Sequence, residues 1–300
     1  MIQAQDVMNR FSIKDLENLT GIKAHTIRIW EQRYGILQPK RTPTNIRYYD
    51  AADLKAALKV ALLNSFGYKI SRIHAMTSEE MSALISKISD QDFKLRAQVN
   101  AMLECALALD SFGIEEHINN YIKRHGIEKA IEVLIFEFLE KIGLMWMTDR
   151  LIPAQEHIAS NVIYRKIAVA IEALPPQTSD QEPTIMLFLP EGEIHDIGLF
   201  YVYYLLRKAG KPSLYLGSNS PFSEVQAVVQ VKKVRNLYVH LTATTAEFDA
   251  NRYLNRLINS APDCEVWVSG SILQHKKLHS IPRVHYLYNL QEVKAAMLTL

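Results

Sequence analysis

The chain has 300 residues, 48% of them hydrophobic and 22% charged. That length favours two or three domains over one, and the composition is that of a folded protein with real cores, not of a disordered chain. Two isolated cysteines, Cys105 and Cys264, exclude a disulfide framework and a cysteine-based zinc site. The opening residues lack the basic and apolar blocks of a signal peptide, and no run reaches the roughly 18 apolar residues of a membrane span, so a cytoplasmic protein without a membrane partner is expected. The formal charge of +2 is uneven: residues 1–75 hold 12 Lys+Arg against 6 Asp+Glu, the remaining 225 hold 22 against 26. A basic head on a mildly acidic body points to a polyanion met by the head alone.

In chain order, Ser12–Ile22 reads as a helix ending in a tight turn at Gly21, and Lys23–Tyr34 as a second helix. Helix, short glycine turn and helix is the helix-turn-helix pattern, whose second helix enters the major groove. His25, Thr26 and Arg28 lie near the start of that second helix, where base contacts are made, and Ile22, Ile29 and Trp30 are expected to pack inward. Arg41–Tyr49 is a basic, aromatic, hairpin-like segment suited to phosphate contacts.

The run T-x-R-x-W-E-x-R-Y-G-I-L-x-P-x-R, continuing to Arg47, Tyr49 and Asp50, resembles the MerR-type winged helix-turn-helix domain over Thr26–Asp50. The resemblance implies a homodimer or homotetramer on double-stranded operator DNA. It places Arg28 in the recognition helix and Arg47 and Tyr49 in the wing, and with His25, Thr26, Arg33 and Arg41 these are the residues expected at the DNA. Metal-sensing members carry cysteines after the dimerisation helix, and this chain has none there, which argues against metal sensing.

Composition shifts near Met76–Glu80 and at Leu174–Pro183 divide the chain into expected domains 1–78, 90–174 and 182–300. Residues 90–173 read as helices, with Val133, Leu134, Phe136, Phe138, Leu139, Ile142 and Leu144 at near-helical spacing. Beyond the linker, the apolar runs 184–190, 213–217, 236–242, 265–270 and 284–288 alternate with amphipathic stretches 198–209, 222–233, 250–260, 272–279 and 290–299. This predicts five parallel strands in a doubly wound, flavodoxin/Rossmann-like domain with its crevice at the carboxyl ends of the strands. The first such loop carries His195 between Glu193 and Asp196; a neighbouring carboxylate is the usual orienting partner of a metal-ligating histidine.

Glu193-x-His195-x-x-Gly198 resembles the E/D-x-H-x-x-G cobalamin-binding motif of methionine-synthase-like modules, in which the histidine is the lower axial ligand of cobalt. Trp146, separated by nine residues from Glu156-His157, is similar to the W-x9-E-H signature of the four-helix bundle that caps cobalamin in light-responsive MerR repressors of the CarH/LitR kind. The resemblance thus implies a winged head, a bundle and a cobalamin-binding tail. His195 is the expected metal ligand, with Trp146, Met147, Glu156, His157, Glu193, Asp196, Ile197, Gly198, Thr242 and Gly270 at the cofactor, adenosylcobalamin or methylcobalamin. Three positions depart from the family pattern: His240 stands where it has serine, Ser271 where it has a second glycine, and Met147 where the photoreceptors have a histidine. A thioether is a poor match for Co(III).

The expected function is therefore a non-enzymatic, cobalamin-sensing repressor, with photoprotective genes as the targets the family implies. No nucleophile–base pair and no phosphate-cradling glycine loop supports catalysis. Two other readings compete with it: a cobalamin-independent regulator whose tail binds an antirepressor-like protein, favoured by His240 and Ser271, and a corrinoid methyl carrier, which would need no operator-binding head.

Overall fold

A computed structural model describes residues 10–148, 150–177, 183–242 and 248–299, leaving aside the side chain of Met147. Part of the expected linker, residues 178–182, and the cofactor-facing side chain expected of Met147 therefore lie outside the described residues. The chain divides into two compact units, Met1–Ile163 and Tyr164–Leu300.

The first unit opens with α1 (Ile13–Thr20) and α2 (Ala24–Tyr34). Ser12 and Asp15 form a reciprocal capping box at the start of α1, and Gly21 ends it in the left-handed region at φ 73°, the conformation that makes this turn tight. A short antiparallel wing follows, β1 (Lys40–Arg41) with β2 (Arg47–Tyr48). It leads into α3 (Ala51–Ser65), started by the Asp50–Asp53 capping box. Phe11, Leu16, Ile27, Trp30, Leu37, Tyr49 and Leu54 form the core of this head. Ile29, expected inside, is instead 44% exposed, and Ile27 is buried in its place. Ile27 and Trp30 are three residues apart and share a helix face, whereas Ile29 falls about 100° from Trp30. Ile22 is half-buried against the Trp30 cluster.

Helices α4 (Ile70–His74) and α5 (Ser78–Lys87) connect the head to the helical region. The composition shift at Met76–Glu80 coincides with the start of α5, where Thr77 and Glu80 make another capping box. Then come α6 (Gln91–Leu107) and α7 (Ser111–His125). A continuous helix follows, α8 (Ile127–Lys129), a π-helical stretch Ala130–Ile135 and α9 (Phe136–Met147), and α10 (Pro153–Glu172) ends the region. The π-helical stretch breaks the 3.6-residue register of the expected apolar stripe, and Val133 turns out 38% exposed while Leu134, Phe138 and Ile142 are buried.

Head and helical region meet at a hydrogen-bonded ion pair. Asp15, nearly buried on α1, accepts from Arg150 Nε at 2.6 Å, just after α9. Lys55 on α3 pairs with Glu104 on α6, also at 2.6 Å. Arg150→Ala leaves the Asp15 carboxylate buried with only its capping contacts. It is expected to lower stability by about 1–3 kcal/mol, read as a shifted urea midpoint at unchanged m-value.

The second unit holds β3 (Ile185–Pro190), α11 (Ile197–Lys208), β4 (Ser213–Ser220), α12 (Phe222–Lys232), β5 (Asn236–His240), α13 (Ala250–Ser260), β6 (Glu265–Ser269), α14 (Ile272–His275), β7 (Val284–Tyr286) and α15 (Leu290–Thr299). The five strands are parallel in the order β4-β3-β5-β6-β7. Apolar residues of α11 and α15 cover one face, and those of α12 and α13 the other. That is the expected doubly wound sheet. Its order reverses between β3 and β5, and a ligand crevice belongs at such a switch point. The stretch expected as helix over 272–279 is only four residues long, because Lys276 adopts an extended conformation.

Candidate functional site: a helix-turn-helix head and a histidine at the switch point

On the head, His25, Arg28 and Arg33 are exposed on α2, with Thr26 half-buried beside them. Arg41 and Arg47 are exposed on the wing, where Arg41 Nη1 donates to Asn45 Oδ1 at 2.7 Å across the turn. Tyr49, expected among the DNA-facing residues, is instead fully buried. It bridges to Phe11 through two 2.8 Å backbone hydrogen bonds, and its hydroxyl donates to Glu31 of α2. Glu31 also lies 4.0 Å from Arg47. This glutamate, which sequence reasoning did not single out, ties the wing to α2. The signal was its place in the W-E-x-R-Y run.

In the helical region, Trp146 is 45% exposed near the end of α9. Glu156 and His157 lie in the first turn of α10, with His157 Nε2 3.6 Å from Glu156 Oε2 and the Ser160 hydroxyl donating to Glu156. Fully buried Gln155 holds this turn, donating to the Leu107 carbonyl at 2.8 Å and accepting from Ile152 N–H at 3.1 Å.

In the tail, the β3–α11 loop is locked by β4, which runs three residues beyond its expected end. Asn219 there accepts from Gly192 N–H at 2.9 Å and donates its own N–H to the Glu193 carbonyl at 3.0 Å. Glu193 is 2% exposed, yet it accepts from the His195 backbone N–H, from His195 Nδ1 at 2.8 Å and from Thr242 N–H. With Nδ1 donating to that carboxylate, the lone pair resides on Nε2 of an exposed ring, which is the arrangement of a metal-ligating imidazole. Asp196 does not share this role. It accepts from the Tyr215 hydroxyl at 3.1 Å, and its desolvation pushes its carboxyl above the usual range against that hydrogen bond. Among the described residues no group of three or more His, Cys, Asp or Glu could hold a bare ion. One imidazole suffices for a metal already held equatorially by a macrocycle, so the donor set fits a corrin-bound cobalt.

Ile197 and Gly198 start α11. A Cβ on Gly198 would sit 2.3 Å from His240 Nε2, so the two residues are in direct contact. His240 Nδ1 hydrogen-bonds Ser269 Oγ at 2.8 Å, and Ser269 in turn bonds the Tyr238 hydroxyl. Gly270, at φ 107°, presses its backbone on the Leu241 carbonyl, and Ser271 Oγ donates to the Thr242 carbonyl at 2.9 Å.

Desolvation holds the His240 pKa down to about 4, against a smaller opposing pull from Glu193. Free histidine titrates near 6.5, so on acidification the unfolded chain takes up this proton before the folded one does. The His240 contribution is thus intact above pH 6.5 and lost as pH falls towards 4. The ring is not wholly enclosed, so the loss is about 1–3 kcal/mol. Denaturation of wild type and His240→Ser at pH 7.5 and 4.5 should show the larger pH-dependent loss in wild type, and equal losses would contradict it.

Residues 11–80 match the MerR HTH family regulatory protein model, and residues 98–171 match a B12 binding domain. The chain thus carries a MerR-type DNA-binding head joined to a B12-binding region. It is homologous to two transcriptional repressors of Myxococcus xanthus. To the HTH-type transcriptional repressor CarH it is 25% identical over 268 residues, 87% of this chain and 89% of that protein. To CarA it is 26% identical over 223 residues, 73% of each. In fold it is similar to the monomethylamine corrinoid protein of Methanosarcina barkeri, with TM-score 0.52 and 17% identity, over 69% of this chain and 96% of that one. No helix among the described residues is long and apolar enough to cross a membrane.

Proposed function

We propose that the chain is a cobalamin-sensing transcriptional repressor, in which a MerR-type head reads operator DNA and the body reports a bound corrinoid. The observation that carries this reading is His195, oriented by buried Glu193 at the switch point of the tail, in a chain whose head exposes Arg28 and Arg33 on α2 and Arg47 on the wing. His25, Thr26, Arg28 and Arg33 approach the major groove, and Arg41 and Arg47 the flanking phosphates. Buried Tyr49, with Glu31, fixes the angle between wing and helix.

In the body, His195 Nε2 would ligate the cobalt of a bound cobalamin, Glu193 would set its tautomer and basicity, and Gly270 keeps the ends of β5 and β6 closely packed. Trp146, Glu156 and His157 belong to the helical cap. When bound, adenosylcobalamin or methylcobalamin would supply a cobalt–carbon bond that light can break. The chain's own response is assembly: homodimers or homotetramers engage several heads at once, and multivalency turns modest single-head affinity into tight operator occupancy. No residue is assigned a catalytic role, and the relatives' printed names describe transcriptional repressors.

Gel filtration of the full chain with adenosylcobalamin, followed by a visible spectrum before and after illumination, tests the reading. Co-eluting corrin absorbance in wild type and its loss in His195→Ala is the expected result. Wild type that elutes without corrin and occupies DNA unchanged would overturn it.

A further inference from the structure

The switch point between β3 and β5 is where a doubly wound sheet opens its ligand crevice. In this chain the His240 side chain packs at the edge of that crevice. The absent Cβ of Gly198 leaves a hollow at the start of α11, and the His240 ring fills it, with Nε2 2.3 Å from the position a Cβ would take. The ring is held from behind by Ser269, 2.8 Å from Nδ1, and Ser269 by Tyr238. Ser271 Oγ donates to the Thr242 carbonyl at 2.9 Å and laces the end of β6 to the segment leaving β5. His240 and Ser271 thus both place hydrogen-bonded side chains at the carboxyl ends of β5 and β6, beside the switch point.

Cobalamin is a corrin ring with a nucleotide tail ending in a benzimidazole. The tail's base occupies the lower face of cobalt in solution and must leave when a protein imidazole takes that position. Once displaced, the base needs an apolar seat to offset the lost coordination. Resting on the cobalamin reading above, we propose that this chain recognises the corrin ring through His195 and leaves the nucleotide tail outside the sheet, with His240 and Ser271 as the residues that exclude it. The tethered base then competes with His195 at high effective concentration and gains nothing from burial. A corrinoid without the nucleotide carries no such competitor, so the chain favours tail-less corrinoids or treats both alike.

The test is a titration of the full chain with aquacobalamin and with diaquacobinamide, followed by visible absorption and calorimetry, for wild type and for His240→Ser/Ser271→Gly. Wild type should bind cobinamide at least as tightly as cobalamin. The double variant should gain about tenfold or more for cobalamin, with cobinamide unchanged. A wild-type preference for cobalamin of tenfold or more would overturn the proposal and leave the sensor reading standing, as would a double variant that shifts both ligands equally. Binding of neither corrinoid to wild type would remove the sensor reading and the proposal together. If the double variant does not fold, the wild-type ratio of the two affinities decides.

Discussion

Arg28→Ala is expected to abolish operator binding at concentrations where the wild-type chain saturates its site. Arg28 is exposed in the first half of α2 beside His25 and Thr26, on the helix proposed to enter the major groove. A lost arginine contact to a base edge costs about 1–3 kcal/mol per head. In the proposed homodimer two independent heads would together lose roughly 2–6 kcal/mol, a fall in affinity of roughly 30-fold to 10⁴-fold. Electrophoretic mobility shift on duplexes selected from a random pool by the wild-type protein reads this directly. Arg252→Ala, a change on the acidic body, should leave the shift unaltered. Wild-type affinity in Arg28→Ala would mean that α2 does not present this face to DNA.

Gly270→Ala carries the largest expected effect on folding. A methyl group there would lie 2.1 Å from the Leu241 carbonyl oxygen, a contact between two backbones that no rotamer change relieves, and φ of 107° is strained for any L side chain. The strand ends of β5 and β6 must separate to admit it, at a cost of about 3 kcal/mol or more. Gly143→Ala is the matched control: it lies within α9, nothing stands within 4 Å of the added methyl, and its φ is not positive. That change should be neutral or stabilising by up to about 1 kcal/mol. Thermal unfolding of the two variants should place their midpoints on opposite sides of wild type or leave Gly143→Ala at it. A Gly270→Ala chain as stable as wild type would contradict the packing described at the switch point.

These two sites mark how far the sequence can be read. The helix-turn-helix pair was legible because Gly21 and the capping residues are local signals, and the parallel sheet because its strands are short apolar runs between helices of opposite periodicity. The position of His195 followed, since the first strand of a doubly wound sheet fixes where its loop emerges. Orientation about an axis was harder. Tyr48 ends a two-residue strand and Tyr49 follows it, and only the bridge from Tyr49 to Phe11 decides which faces the core. Ile29 went wrong for the related reason that an apolar residue one position from Trp30 cannot share its face. The π-helical stretch at 130–135 left no mark in the spacing of apolar residues. The contact of His240 with Gly198 joins residues 42 apart, and composition says nothing about such a meeting; the departure from serine at 240 was visible, but what the imidazole fills was not.

The Asp15–Arg150 pair has a consequence for exchange between the two ends of the first unit. Arg150 follows α9 four residues after Trp146, and its partner caps the first helix of the head. Any event that moves the 146–150 segment works against this bond, and the same bond works back. If a corrinoid at Trp146 changes the head's affinity for DNA by some factor, operator DNA must change the corrinoid's affinity by that same factor. The chain would then release its ligand at a different concentration when seated on its operator than when free, so one protein would have two thresholds set by where it stands.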